Sequence, residues 1–510
     1  VRPAPAAASA VLACALLIGC ATPRGPAEAR QYYEKHLASQ LVPLIQQAVR
    51  FPTVQGDFKA RDEQKAWLIA LSAKLGFVAH DTGKFVEIEL PGPQGAPVLG
   101  LVVHGDVQPV DEKAWSVPPF DGTLKDGTLY GRGVADDKGP LVQALLAIDA
   151  LSKAGPPRTH TVRLLVGSDE ESDNLDAKEY LKTHAAPDYS LVLDYLFPVV
   201  VGEKAWTGLY LKATPGPRSM AELPFRVESL KAGLSPSIVP DRAELTLRWI
   251  RGVPAWGTLL EKLRARPMPE GTRLEVVEDY GENQTIALVV HGKSAHGGVN
   301  LEGGRNALVA LARLVDGVLP ASGENDLLAF ARLAGQDLYG AGFGLTEDDP
   351  VWGHYLVNVG CVLPAEDGRL EMKIALRRPP PTTAQEIKAH LRDIVFRFNA
   401  RTGANLAFDG YWDDEPLSFD PDGKLVKRLL AAHARTTGSE GRPAVAGGGT
   451  YAKRIPNSIA FGMWFPGKPY PGHDVDEQIS VEDLHQGTRI LIEALCDIAC
   501  GPKIEEAFEK

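Results

Sequence analysis

Three short, largely apolar runs, each followed closely by charged residues, constrain this 510-residue chain more than any other feature. Residues 96–103 read A-P-V-L-G-L-V-V and stop at His104-Gly105-Asp106. Residues 161–167 stop at Ser168-Asp169-Glu170-Glu171-Ser172, and residues 190–193 stop at Asp194. A continuous apolar run is what a strand needs when its sheet is covered on both faces. Around these runs lie helical segments: 28–50 and 58–75, with apolar residues at three- and four-residue spacing, then 140–153 and about 173–183. Strands alternating with helices predict an α/β domain whose site lies along the carboxyl edge of its sheet.

The stretch from Leu129 to Pro140, L-Y-G-R-G-V-A-D-D-K-G-P, adds a second constraint. A β-like run over 123–130 breaks at Gly131-Arg132-Gly133 and presents Asp136 and Asp137 before the helix. Adjacent carboxylates repel each other unless a cation or base lies near. The plain alternative is an exposed Asp-rich turn with Asp137 at a helix N-terminus. His104 and Asp106, two apart on an extended chain, face the same side, so one can ligate a metal while the other fixes its ring. Glu170 and Glu171 would diverge if extended, leaving one as ligand and one as base. Asp194 and, after a strand at 459–465, His473 supply another carboxylate and imidazole. Hard and borderline ligands on the ends of separate strands are what a divalent metal site needs.

From about residue 205 the pattern changes. Strands at 206–214, 242–249, 274–278 and 285–291 mix with helices at 254–264 and 305–318; strands at 355–362 and 370–377 and a helix at 383–402 follow. The α/β pattern returns near Pro416, with helices at 423–437 and 481–500 around the strand at 459–465. We therefore expect one α/β domain in two parts, 28–204 and 416–510, interrupted by an α+β insertion at 205–415. A net charge of −11 without a compensating basic cluster argues against a nucleic-acid partner. The cysteines form no disulfide framework; Cys496 and Cys500 share a helix face, where packing is expected.

The first twenty residues are Ala/Leu/Val-rich and end L-L-I-G-C, too short to span a bilayer permanently. They have the shape of a secretory signal, and Leu17-Ile18-Gly19-Cys20 resembles the bacterial lipoprotein lipobox. That resemblance implies a signal peptide at 1–20, a lipid anchor on Cys20, a tether at 21–27, and an exported protein facing the periplasm.

In order, the chain carries H-G-D-V-Q-P-V, G-R-G-V-A-D-D-K-G-P, D-E-E, D-Y-L-F-P-V-V-V-G-E-K, G-K-S-A-H-G-G, G-G-G-T-Y-A and F-P-G-x4-G-H-D. Together they resemble the co-catalytic zinc peptidases of the aminoacylase/carboxypeptidase/dipeptidase family, most of all its bacterial broad-specificity dipeptidases. The resemblance implies a zinc-peptidase-type α/β domain with a mixed, mostly parallel sheet, interrupted by a two-lobed, ferredoxin-like lid. It implies two divalent ions, zinc first, with manganese or cobalt as alternatives. His104 and Asp194 would hold one ion, Glu171 and His473 the other, with Asp136 between them. Asp106 would steady His104, Glu170 would be the general base, and His296 would reach the oxyanion. Arg377 and the backbone of Gly447, Gly448, Gly449 and Thr450 would hold the substrate's free carboxylate. The Asp136–Asp137 peptide would be cis.

Three positions depart from the pattern: Ser237 replaces an Asn, Lys453 replaces an Arg (although Arg454 follows), and Gln108 replaces a Val, the last expected to be without consequence. The implied activity is hydrolysis of small L-dipeptides. Alternatives are an N-acyl-amino-acid amidohydrolase, a carboxypeptidase, or a non-catalytic peptide-binding lipoprotein. The length of the insertion predicts a monomer, with one lobe covering its own site.

Overall fold

The computed structural model describes residues 25–505 except 173, 219–223, 253–254, 280–283, 381 and 469–471. Cys20 and the proposed signal lie outside the described residues, and the helix Pro26–Tyr32 already begins within the expected tether. No helix among the described residues is long and apolar enough to cross a membrane.

The first sheet is mixed, as expected. Four strands at its centre lie side by side and run parallel: Thr161–Gly167, Val98–His104, Tyr189–Val192 and Ser458–Ala460. Antiparallel pairings flank them: Val86–Leu90 runs against Thr161–Gly167 and Val78–Asp81 against Val86–Leu90 on one edge, Val200–Glu203 against Ser458–Ala460 and Leu417–Ser418 against Val200–Glu203 on the other. The apolar runs are explained by burial on both faces. Leu99, Leu101 and Val103 enter a core with the helices Lys138–Ala154, Lys424–Thr437 and Val481–Ala499, whereas Val102 points to an opposite core containing Tyr180 and Tyr451. The helix Lys138–Ala154 is buried continuously from Lys138 to Leu151, which is why it is apolar all round. Each of its buried leucines contributes on the order of 2 kcal/mol by leaving water.

Register decides where the site falls. His104 pairs with Gly167 and Val102 with Val192, so the central strands end level. Parallel direction then brings His104, the 168–172 segment and Asp194 to one edge. The strand expected at 459–465 is two, Ser458–Ala460 and Met463–Trp464. The helix expected at 173–183 is shorter, Leu175–Tyr180.

A second, antiparallel sheet of eight strands lies within residues 205–414. In each half a strand–helix–strand unit is split by a third strand. Arg242–Trp249 and Arg273–Asp279 flank Thr285–His291; Leu370–Arg378 and Ala407–Asp414 flank Ala205–Ala213. The two lobes share one sheet and one core, meeting at Ala232 and Val362. Three elements were not legible. The strand Phe225–Ala232 carries an irregularity between Val227 and Ser229 that breaks its alternation. The strand Ala407–Asp414 is an edge strand with no buried residue. The helix Gly323–Ala334 spends its first turn on Gly, Glu, Asn and Asp.

Candidate metal centre and substrate cavity

His104 ends a central strand, and its ring is fixed from behind: Nδ1 lies 3.0 Å from the Asp106 carbonyl and 3.6 Å from Asp106 Oδ1. This aims Nε2 at Asp136 Oδ1, 3.0 Å away, with Asp194 Oδ2 at 3.9 Å. The two oxygens of Asp106 also accept the backbone N–H groups of Glu170 (3.3 Å) and Glu171 (3.0 Å). That contact bends the segment into a turn, so the two glutamates are not extended and do not diverge to opposite sides. Glu170 gathers with His104 and Asp194, and Glu171 with His104 and Asp136, each set having ligand atoms within 4.8 Å of one another. His473 Nε2 lies 3.0 Å from Glu171 Oε2 and 3.2 Å from Asp136 Oδ2. Asp136 thus has one oxygen against each imidazole, and the Asp136–Asp137 peptide is cis.

The electrostatics fit a cation. Burial pushes Glu170 and Asp194 well above the carboxylate range, and the neighbouring carboxylates push further. Burial acts on Asp136 too, but the two imidazoles prevail and hold it well below. Burial opposes charge on His104 and His473, yet Asp106 and Asp136 around one, and Glu171 and Asp136 around the other, raise both well above their ordinary value. Two imidazole nitrogens and several crowded carboxylates form a donor set suited to a divalent ion.

Sequence reasoning missed Glu477. Its buried carboxylate accepts from Arg132 Nη1 (2.7 Å) and from the backbone N–H groups of Gly133, Ala135 and Asp136 (3.0–3.2 Å). Arg132 also donates to the carbonyl of His473 at 3.2 Å, tying the two ligand loops together. Gln108, expected to be without consequence, donates to Glu171 Oε2 at 2.9 Å and so orients that carboxylate.

The lid supplies the opposite wall. His296 Nδ1 accepts the N–H groups of Gly298 (3.0 Å) and Val299 (2.9 Å), which places the proton of the neutral ring on Nε2. Burial, His473 and Arg377 hold this imidazole well below its ordinary value, and its ring centroid is 4.9 Å from that of His473. The carbonyl of Ser237 accepts the Gly297 N–H at 2.7 Å, so this position supports the His296 loop through its backbone. Arg377 is buried, its guanidinium stands 5.7 Å over the Trp206 ring, and its Nε has no acceptor among the described residues. Burial pushes it down to about 10.

The 447–450 loop is held by Tyr195 and Glu203: Gly447 N–H donates to Tyr195 Oη at 3.2 Å, and Thr450 donates through N and Oγ1 to Glu203 at 3.0 and 2.8 Å. A Cβ on Gly447 would collide with the carbonyl of Gly298, and one on Gly298 with Arg377, so the two glycines meet backbone to backbone. Lys453 and Arg454 both pair with Asp414, at 3.3 and 2.6 Å.

A cavity of about 440 Å³ joins these parts. Asp136, Glu170, Glu171, Asp194 and His473 line one side; His296, Arg377, Gly448, Gly449 and Thr450 line the other. His104, Asp106 and Gly447 stand behind the lining.

This fold and this cluster define a metallopeptidase. A model described as peptidase family M20/M25/M40 matches residues 100–497, and the chain belongs to that family. It is 27% identical over 433 residues to the Bacillus subtilis (strain 168) protein named "Putative dipeptidase YtjP", covering 85% of this chain and 89% of that one. It is 25% identical over 477 residues to "Putative dipeptidase SH1171" of Staphylococcus haemolyticus, covering 91% and 97%. Its fold is similar to that of human carnosine dipeptidase 1, with a TM-score of 0.57 at 15% identity over 93% of this chain and 99% of that one. A di-peptidase of Saccharomyces cerevisiae, Dug1p, gives a TM-score of 0.56 at 14% identity, covering 93% and 98%.

Proposed function

We propose that the protein is a dipeptidase that hydrolyses small L-dipeptides bearing a free C-terminal carboxylate. The observation that carries this reading is Arg377, a buried guanidinium facing the same cavity as the carboxylate–imidazole cluster, with no ion-pair partner among the described residues. A substrate carboxylate suits it. The dipeptidase names of the relatives agree with this. The abundance of ligands and the presence of Glu170 favour catalysis over simple peptide binding.

Two divalent ions, zinc first, with manganese or cobalt as alternatives, held by His104 and Asp194, by Glu171 and His473, and by Asp136 between them, would supply a water of lowered pKa and polarise the scissile carbonyl. Glu170, gathered beside His104 and Asp194, would serve as the proton carrier, holding on its carboxylate the proton that hydrolysis takes from water and passing it to the leaving nitrogen. His296 offers Nε2–H to the oxygen that gains charge, and its suppressed basicity keeps it a neutral donor. Arg377 pairs with the terminal carboxylate, and the backbone at 447–450 lies beside it. Assay of the protein on dipeptides, N-acyl amino acids and longer peptides, with and without zinc or manganese, tests the reading; cleavage confined to N-acyl amino acids would overturn it.

Arg377→Ala is expected to raise KM for free-carboxylate dipeptides far more than for their C-terminal amides. A charge-assisted contact contributes about 1.5–3 kcal/mol, roughly ten- to a hundredfold. Equal losses on both substrates would remove Arg377 from carboxylate reading.

The lipobox-like segment and the insertion length support two further parts of the proposal: export with a lipid anchor on Cys20 towards the periplasm, and a functional monomer. For the monomer, His296 stands beside the His473 of its own chain. Mixing inactive His296→Ala with inactive Glu170→Gln is expected to restore nothing; recovered activity would show that the histidine is shared between chains.

A further inference from the structure

One face of the lid sheet continues outward from Arg377. Trp206 pairs with Arg377 on one side and Asp414 on the other; two residues on, Gly208 pairs with Ala375 and Trp412; two further, Tyr210 pairs with Lys373 and Gly410. Side chains two apart on a strand share a face, so these nine residues form three rows about 7 Å apart. Small residues make the floor and rings fill it. Trp206 and Trp412 meet edge to face at 4.2 Å. The Tyr210 ring lies so close to Gly208 and Gly410 that a Cβ on either would come within 3.1 or 2.7 Å of it. Trp206, Tyr210 and Trp412 line the same cavity as Glu170 and Arg377. None of the three belongs to a hydrophobic core cluster, and Trp412 is 37% exposed, so core packing does not account for them.

We infer that this aromatic shelf is the subsite for the C-terminal side chain of the substrate, and that the enzyme favours dipeptides ending in a neutral aromatic residue. A carboxylate on Arg377 leaves the side chain of the same residue next to Trp206, one row from Trp412. Rings bind there edge-on or offset. The substrate rests on the dipeptidase reading; the subsite itself does not.

The test compares alanyl-phenylalanine with alanyl-alanine on the full chain loaded with zinc or manganese. It also compares the calorimetric affinity of free L-phenylalanine with that of L-alanine. The expected ratio of kcat/KM, aromatic over alanyl, is about tenfold or more in the wild type. It falls towards one in Trp412→Ala and is largely kept in Trp412→Phe, and the affinity ratio moves with it. Wild-type ratios near one, or ratios that Trp412→Ala leaves in place, overturn the subsite. If neither dipeptide is cleaved but L-phenylalanine still binds preferentially through Trp412, the dipeptidase reading falls and the subsite stands.

Discussion

Glu170→Gln leaves a folded protein with its metal content intact and a kcat lower by about 10²–10⁴-fold, the contribution a positioned acid–base group makes. The substitution preserves shape and the backbone N–H bond to Asp106, at 3.3 Å, so the turn that presents Glu171 is kept. On the proposed mechanism, what is removed is the ability to take a proton from water and return it to the leaving nitrogen. KM should change little, because Glu170 makes no contact assigned to the substrate carboxylate. Single-turnover kinetics beside metal analysis check this. Near wild-type turnover would show that another group is the base.

Asp136→Asn is expected to be at least as damaging, by a different route. Asp136 has an oxygen against each of the two imidazoles, at 3.0 and 3.2 Å. An amide offers one neutral oxygen and one donor in place of two anionic oxygens. One imidazole then faces an N–H group, and the cluster loses the charge that both sides share. Metal retained after dialysis should fall below the wild-type stoichiometry, with activity falling in parallel, while circular dichroism stays native. Orienting partners outside the ligand shell already change metal affinity by about 10–100-fold, so loss of the carboxylate proposed to lie between the two ions is expected to do more. Full metal content with wild-type turnover would take Asp136 out of the centre.

The site was legible where sequence and geometry coincide. Apolar runs that stop at His104, at Glu170 and at Asp194 become level strand ends because parallel neighbours share direction and register. His473 was found through its motif, since a loop residue has no periodicity to announce it. Glu477 was not found. Its work is done on backbone N–H groups of a loop more than 340 positions away, and a lone Glu in V-D-E-Q carries no sign of that. Gln108 was misjudged for a related reason: its partner is set by the turn that Asp106 imposes on 170–171, which cannot be read from H-G-D-V-Q alone. In the lid, alternation failed where a bulge or an exposed edge removes it.

The contact between Gly298 and Gly447 has a mechanical consequence. A seam made of two bare backbones has almost no apolar area to surrender when it parts, so its adhesion is weak. Little work is needed to part the two backbones at that seam, and the ion pairs of Asp414 with Lys453 and Arg454 hold lid to base beside it. A side chain at either glycine would act as a wedge, fixing a gap where the two backbones otherwise close on each other by fit.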